Sequence, residues 1–279
     1  MKQSLSLVVA VYNAVGYLEL ILAGLQRQTF RDFELIVADD GSGTAMKELV
    51  DRMKKQVSFP IQHLWQEDVG FRKNMMLNKA IGASQAEYLV FIDGDCVPHR
   101  KFLDDHWSNH RENIVLCGRR VNLSEHMTDR LTLETIASGA YEKLSVPLLI
   151  DGLLGRSSNL EDAIRIENPA IRRMLHQNTV RILGCNFSVE KRLLEEINGF
   201  NEDYEAPGRG EDSDIAFRLG LIGAQFITLR YLAVLYHLYH PVTKVGEENK
   251  RIHEQVMESR NPICANGLRK LQSASPAPN

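Results

Sequence analysis

The stretch YLVFIDGD, residues 88–95, decides the fold class of this chain. Its first five residues form a short apolar run, which is typical of a strand buried inside a sheet. Asp93 and Asp95 follow, with Gly94 between them. Side chains alternate along an extended segment, so positions i and i+2 lie on one side of it. The stretch therefore predicts a central strand that ends in two carboxylates on the same side.

Two similar apolar runs come earlier in the chain, and helical patterns separate them. Residues 5–11 and 33–38 predict strands, while residues 15–28 and 44–56 carry apolar residues at helical spacing. Strands that alternate with helices of this length favour an α/β fold with a mainly parallel central sheet. In such sheets ligands bind beyond the carboxyl ends of the strands, which is where Asp39 and Asp93 fall.

The later part of the chain is less regular. Patterns at residues 190–197 and 247–257 indicate helices, the runs 226–229 and 233–237 indicate strands, and the glycine- and serine-rich stretch 152–159 indicates a mobile loop. We expect one domain over residues 1–245 and a helical extension over residues 246–272. Residues 273–279, rich in Ser, Ala and Pro, predict a disordered tail.

Composition excludes several classes of protein. The 279 residues are 44% hydrophobic and 25% charged, which is typical of a globular protein, and the net charge of −3 gives no drive toward nucleic acid. The four cysteines show no CxxC pair, so neither a zinc ribbon nor a disulfide scaffold is expected. No window approaches the length of a membrane span, and we expect a cytoplasmic protein.

Two pairs of side chains suggest a metal site. Asp93 and Asp95 suit a hard divalent cation that also binds diphosphate oxygens, although Asp-Gly pairs are equally common in solvated turns. His237 and His240 follow a predicted strand, and one of them could complete a site begun by Asp95.

Two further acidic clusters have both a structural and a chemical interpretation. Asp39, at the end of a strand, could accept hydrogen bonds from a base or ribose, or the cluster 39–42 could be a helix-capping turn. Glu211 and Asp212 open a helical pattern, where acids stabilise the helix dipole. A flexible loop that brings a carboxylate to an acceptor would have the same composition.

Taken in order, five motifs resemble those of family 2 glycosyltransferases of the GT-A fold. They are Val9-Ala10-Val11-Tyr12-Asn13, Asp39-Asp40-Gly41-Ser42, Asp93-Gly94-Asp95, Gly199-Phe200-Asn201-Glu202 and Gly210-Glu211-Asp212. The stretch 199–219 is similar to the C-terminal block of galactosyltransferase-type members, and the resemblance covers residues 4–245. It implies a Rossmann-like GT-A fold with a helical C-terminal extension.

The resemblance also implies roles for individual residues. The residues implied for nucleotide-sugar binding are Ala10, Val11, Tyr12, Asp39, Arg72, Asn78, Asp93 and Gly94. Asp95 and His237 would hold Mn²⁺ or Mg²⁺, with His240 as the alternative to His237. Asp212 would be the general base and Glu211 an acceptor ligand. Many members have Arg before the equivalent of Asn78, where this chain has Leu77, so the resemblance does not extend to that nucleotide contact.

The implied activity is an inverting, metal-dependent transfer of one sugar from a nucleotide-sugar to a glycan or lipid-linked acceptor. UDP-Gal, UDP-GalNAc, UDP-Glc and UDP-GlcNAc are the expected donors, bacterial surface polysaccharide the expected product, and the inner face of the cell membrane the expected location. Arginines in the stretch 156–181 could meet an anionic acceptor or make peripheral membrane contact, and they equally suit a salt-bridged surface. The alternatives are a nucleotidyltransferase that makes sugar nucleotides and a non-catalytic glycan- or nucleotide-binding module. The first lacks its glycine-rich loop after strand one, and the second has no need of Asp93, Asp95, Glu211 and Asp212 together.

Overall fold

The computed structural model describes residues 2–142, 145–175, 180–208, 210–241 and 247–271. These residues form two β-sheets with helices on both faces of the larger one. The strands are β1 Leu5–Val11, β2 Phe33–Asp39, β3 Ile61–Trp65, β4 Tyr88–Asp93, β5 Cys96–Pro98, β6 Ile114–Cys117, β7 Val121–Asn122, β8 Phe187–Glu190, β9 Gln225–Thr228 and β10 Leu235–His237. The helices are α1 Val15–Leu25, α2 Thr44–Met53, α3 Lys73–Ala83, α4 Phe102–Asn109, α5 Glu125–Asp129, α6 Leu133–Ser138, α7 Val146–Leu153, α8 Pro169–Met174, α9 Lys191–Glu196, α10 Glu211–Leu221 and α11 Glu247–Ser259.

The larger sheet has seven strands in the order β3-β2-β1-β4-β8-β6-β9. Four of its neighbouring pairs are parallel, and β8 runs antiparallel to both β4 and β6. The predicted α/β fold with a mainly parallel central sheet is confirmed.

The register of the parallel strands brings the acidic motifs to one edge. Val11 at the end of β1 pairs with Asp39 of β2, and Ala10 pairs with Asp93 of β4. The small sheet, ordered β5-β10-β7, extends this edge, because His237 of β10 pairs with Cys96 of β5. Residues that are far apart in the sequence therefore meet where the parallel strands end.

Two apolar layers cover the two faces of the larger sheet. Along β1, Leu5, Leu7, Val9 and Val11 pack on one face with α1, α2 and α4, while Val8 packs on the other face with α3, α9 and α10. The alternation follows from the period of two along a strand. A fully buried Leu or Val contributes about 1.5–3 kcal/mol relative to an exposed one, so these layers fix the strand register.

The sequence pattern was less informative in the middle of the chain. The expected loop 152–159 is wrong in part, because residues 152 and 153 belong to α7, Ser157 is buried and Ser158 pairs with Asn122. The Asp151 carboxylate accepts a hydrogen bond from Ser157, which ties this turn to the helix. The four cysteines are free and buried, as expected of reduced thiols.

The domain division at residue 245 stays a prediction, and the expected disordered tail, residues 273–279, lies outside the described residues. Helix α11 confirms the helical pattern at residues 247–257, and residues 260–271 are not helical. Within the part of the chain that the structure describes, no helix has both the length and the apolar character that crossing a bilayer requires.

Candidate active site

Asp39 lies at the end of β2, and its carboxylate is fully buried. One oxygen accepts a hydrogen bond from the Ser42 backbone N–H at 2.8 Å, and the other lies 2.8 Å from Nε2 of His63. Gly41 makes the turn between Asp39 and Ser42, with φ of 97°, and a Cβ at Gly41 would lie 2.7 Å from the Cα of Asp68. The turn therefore requires glycine, and it fixes the Asp39 carboxylate at the edge of the sheet.

The end of β1 forms the neighbouring part of the same edge. Val11 is buried, whereas Tyr12 is 53% exposed and donates its hydroxyl to Asp68 at 2.9 Å. Gly94 lies against this strand end, because a Cβ at position 94 would be 2.7 Å from the carbonyl oxygen of Ala10. The structure thus places Ala10, Val11, Tyr12 and Gly94 together, and their role in binding a nucleotide-sugar stays a prediction.

Arg72 and Asn78 lie before and within α3. The backbone N–H of Arg72 donates to Asp40 at 2.8 Å, and its guanidinium donates to the Glu67 carbonyl at 2.6 Å. Burial raises the pKa of Asp40, although the hydrogen bonds from Arg72 and Gln66 oppose this shift. Asn78 is buried and its amide is engaged with Phe200 and Glu202, so it holds a loop in the structure. Its predicted contact with a nucleotide stays a prediction.

Lys73 is a functional candidate that the sequence analysis missed. Its Nζ lies 2.9 Å from Asp93 and 3.1 Å from Glu211, and its side chain is only 17% exposed. Burial opposes its charge, but the carboxylates of Asp93, Glu211 and Asp212 outweigh that effect and hold the pKa of Lys73 well above its ordinary value. Its position directly after Arg72, a residue implied for nucleotide-sugar binding, is the sequence signal that could have identified it.

Glu211 and Asp212 form the first turn of α10. Oδ2 of Asp212 accepts the Gly184 backbone N–H at 2.8 Å, and a Cβ at position 184 would lie 2.4 Å from Oδ1. Burial, opposed by Lys73 and reinforced by Glu211, raises the pKa of Asp212 to about 6. Among the described residues, Oε2 of Glu211 is buried and has no hydrogen-bond partner. This pair combines a carboxyl group that can exchange a proton near neutrality with an unsatisfied acceptor atom beside it.

The two predicted candidates for a metal site, His237 and His240, both lie beside Asp95. Their Nε2 atoms are 3.4 and 3.1 Å from Oδ2 of Asp95, and the three potential ligand atoms lie within 4.8 Å of one another. Although burial opposes it, contact with both histidines holds the pKa of Asp95 well below its ordinary value. The mixed nitrogen and oxygen donors fit Mn²⁺ better than Mg²⁺, which keeps to oxygen ligands.

Several of the arginines between residues 156 and 181 have local partners. Arg165 forms an ion pair with Asp105 at 2.6 Å and with Glu167 at 2.5 Å. Arg172 donates to the backbone carbonyls of residues 166 and 167. For these two residues the structure shows the salt-bridged and capped surface that the sequence left open as one of two interpretations.

Two models of known protein families match the sequence of this chain. Residues 6–197 match the family model described as glycosyl transferase family 2, and residues 168–241 match the model described as the N-terminal domain of galactosyltransferase.

Three proteins illustrate the similarity. Chondroitin synthase of Escherichia coli is 26% identical over 285 residues, which is 97% of this chain and 40% of that protein. Validoxylamine A glucosyltransferase of Streptomyces hygroscopicus subsp. jinggangensis is 34% identical over 280 residues, 98% of this chain and 62% of that protein. The crystal structure of S. aureus TarS 1–349 in complex with UDP-GlcNAc has a TM-score of 0.58 at 18% identity, covering 92% of this chain and 65% of the other. The chain thus spans less than two thirds of each, and the last likeness concerns the fold alone.

Proposed function

The chain belongs to glycosyl transferase family 2, and we propose that it transfers a single sugar from a UDP-sugar to a hydroxyl group of a saccharide acceptor, with inversion at the anomeric carbon. One observation carries the proposal. Lys73 contacts Asp93 at the strand edge and Glu211 on α10. The sheet edge that would bind the nucleotide and the carboxylate pair that would bind the acceptor therefore belong to one site.

The donor would bind along the ends of β1, β2 and β4. Asp39 and the main chain of Ala10, Val11 and Tyr12 would hold the base, Asp93 and Gly94 would lie near the ribose, and Arg72 and Asn78 would complete this side. UDP is supported by the UDP-GlcNAc complex of TarS, which has the same fold. The sugar would be galactose or N-acetylgalactosamine, in line with the galactosyltransferase match, or glucose or N-acetylglucosamine.

A divalent cation would be held by Asp95 and His237, with His240 in reach of the same carboxylate. The donor atoms favour Mn²⁺ over Mg²⁺. When bound, such a cation would neutralise charge on the diphosphate.

The reaction itself needs one proton acceptor on the protein. The acceptor hydroxyl oxygen forms a bond to the anomeric carbon as the bond from that carbon to the diphosphate breaks. Asp212 takes the hydroxyl proton, and the carboxylate of Glu211 accepts a hydrogen bond from the acceptor sugar through its free oxygen. A carboxyl group with a pKa of about 6 is ionised at neutral pH and can still be protonated in the reaction.

The acceptor would be a glycan or a lipid-linked saccharide in bacterial surface polysaccharide synthesis, a proposal supported by the similarity to chondroitin synthase.

Peripheral contact with the inner face of the membrane is part of this proposal. Its support is the outer face of α7 and the residue after it, where Val146, Leu149, Ile150, Leu153 and Leu154 are 40–87% exposed, together with exposed Arg156. Sedimentation with anionic phospholipid vesicles tests it: Leu153→Glu should reduce binding severalfold, and unchanged binding would remove α7 from the contact.

A donor screen tests the activity. Purified protein is incubated with UDP-, GDP- and dTDP-sugars in Mn²⁺ or in EDTA, and nucleotide release is measured with and without saccharide acceptors. We expect release from one UDP-sugar, lost in EDTA. Release of pyrophosphate from UTP and a sugar phosphate would support the nucleotidyltransferase instead, and glycan binding without turnover of any donor would support the binding module.

A further inference from the structure

Residues 198–206 precede helix α10, which begins at Glu211 and Asp212, and we call them the acceptor-side segment. The two family matches end at residues 197 and 241, so neither includes residues 261–271. These eleven residues, which we call the strap, lie against the acceptor-side segment through side chains and backbone alike.

The first connection is made by Asn198. This residue is fully buried and has a left-handed backbone, with φ of 64°. Its side-chain amide donates to the carbonyls of Cys264 and Arg269, both at 2.8 Å, and accepts the Arg269 N–H at 2.9 Å. Its own carbonyl accepts the Leu268 N–H at 2.9 Å. The polar atoms of the Asn198 side chain are therefore committed to the strap.

Close steric fit reinforces these hydrogen bonds. A Cβ at Gly267 would lie 1.9 Å from the carbonyl oxygen of Asn198, and a Cβ at Gly199 would lie 2.7 Å from Cγ of Leu268. Neither position has room for a side chain, because Gly267 lies against the backbone of Asn198 and Gly199 lies against the side chain of Leu268.

Glu202 and Asp203 form the second connection. The Glu202 N–H donates to the carbonyl of Asn266 at 2.8 Å, and Lys270 bonds both the Glu202 carboxylate and Oδ1 of Asn266. Nδ2 of Asn266 donates to Asp203 at 2.7 Å. The strap also closes on itself, since the Leu271 N–H donates to the Ala265 carbonyl at 2.9 Å. The strap is thus a closed turn and not an extended segment.

Helix α3 holds the opposite side of the segment. Asn74 donates to the Asn201 carbonyl at 2.8 Å, and Asn78 exchanges hydrogen bonds with the backbone of Phe200. The same helix begins at Lys73, which contacts Glu211. The acceptor-side segment is therefore held between α3, which belongs to the family match, and the strap, which does not.

We propose that residues 261–271 are a positioning element of the active centre, which fixes the acceptor-side segment and thereby the start of α10, where Glu211 and Asp212 lie. This inference rests on the proposed function for its consequence in catalysis, but not for its structural part. A misplacement of about 1 Å in a reacting group lowers a rate by about a hundredfold, so loosening the strap would reduce the rate more than it reduces donor binding.

The double variant Asn266→Ala with Lys270→Met removes the side-chain bonds to Glu202 and Asp203. Hydrogen exchange of the protein without ligands should become about tenfold faster over residues 198–212 and stay unchanged over residues 5–39. The turnover number for UDP-sugar hydrolysis should fall about 10- to 100-fold, with the UDP dissociation constant in Mn²⁺ within about twofold. Lys250→Met, at an exposed position of α11, is the control, and Lys270→Arg alone should retain the wild-type rate.

Unchanged exchange over residues 198–212 would overturn the inference, and so would parallel losses of UDP binding and turnover. If no UDP-sugar is a substrate, the proposed function fails, while faster exchange confined to residues 198–212 would still support the strap as the element that holds this segment.

Discussion

The donor side and the acceptor side of this site are held in different ways. On the donor side, Asp39 and Asp93 end the two strands that flank β1, and continuous backbone ladders between β1, β2 and β4 set their positions. On the acceptor side, Glu211 and Asp212 follow an irregular segment that depends on side-chain contacts with α3 and the strap. A sheet edge tolerates loss of a side chain better than a segment whose position depends on side chains.

The largest expected effect is on the acceptor side alone, with UDP binding on the donor side retained. Asp212→Asn should lower the transfer rate by about 10²- to 10⁴-fold, the range for general-base catalysis, because the amide cannot take the proton. The UDP dissociation constant, measured by calorimetry in Mn²⁺, should change by less than about twofold. Glu205→Gln, at an exposed acid of the acceptor-side segment, is the matched control. Loss of UDP binding in Asp212→Asn would show that the two sides do not act separately.

The next prediction concerns stability of the acceptor side. Arg218 and Asp214 form an ion pair within α10 in which each side chain is 1% exposed, and Arg218 also donates to the Ile197 carbonyl at 2.8 Å. Arg218→Met should lower the free energy of unfolding by about 3–5 kcal/mol, because it leaves a buried carboxylate without its partner. Urea denaturation measures this.

Adding Asp214→Leu to Arg218→Met should restore most of the lost stability, since an apolar pair replaces the charged one. A double variant as unstable as the single one would place the destabilisation elsewhere than in the unpaired charge.

Asp95→Ala should damage the donor side alone. Loss of a ligand is expected to weaken Mn²⁺-dependent UDP binding by at least about 10- to 100-fold, since even indirect partners of metal ligands have effects of that size. Binding measured in EDTA should not change. His237→Ala and His240→Ala, compared in the same titration, identify which histidine is the ligand. Wild-type affinity for UDP in all three variants would remove this cluster from the metal site.

The smallest effect tests the contact between the two sides. Asp212 faces Lys73, Glu211, Asp93 and the Gly184 N–H, and its pKa of about 6 predicts that turnover rises with pH through this value as the base ionises. Lys73→Met removes the charge that lowers this pKa, so the acid limb should move up by about one pH unit, roughly a fivefold loss at pH 6. Lys73→Arg should keep the wild-type limb, and a limb that stays in place in Lys73→Met would show that Lys73 does not act on Asp212.

The sequence pattern predicted the donor side better than the acceptor side, for a physical reason. The ends of buried parallel strands meet at one edge whatever the loops do, so Asp39, Asp93 and Asp95 could be placed together from local runs alone. Lys73 could not, since its bond to Glu211 joins residues 138 positions apart, and a lysine at a helix start is ordinarily solvated. Periodicity also does not report strand direction, so the antiparallel β8 within the parallel sheet was not predictable.

The hydrogen bonds of Asn198 also affect the order in which parts of the nascent chain fold. During synthesis on a ribosome, the βα units that contain β1, β2 and β4 can pair as soon as they emerge. Asn198 has its side-chain partners only at Cys264 and Arg269 among the described residues. A nascent chain is therefore expected to complete its donor edge first and to gain an ordered acceptor side only after residues 264–269 have left the ribosome. Substrate binding would then precede catalytic competence in the life of each molecule.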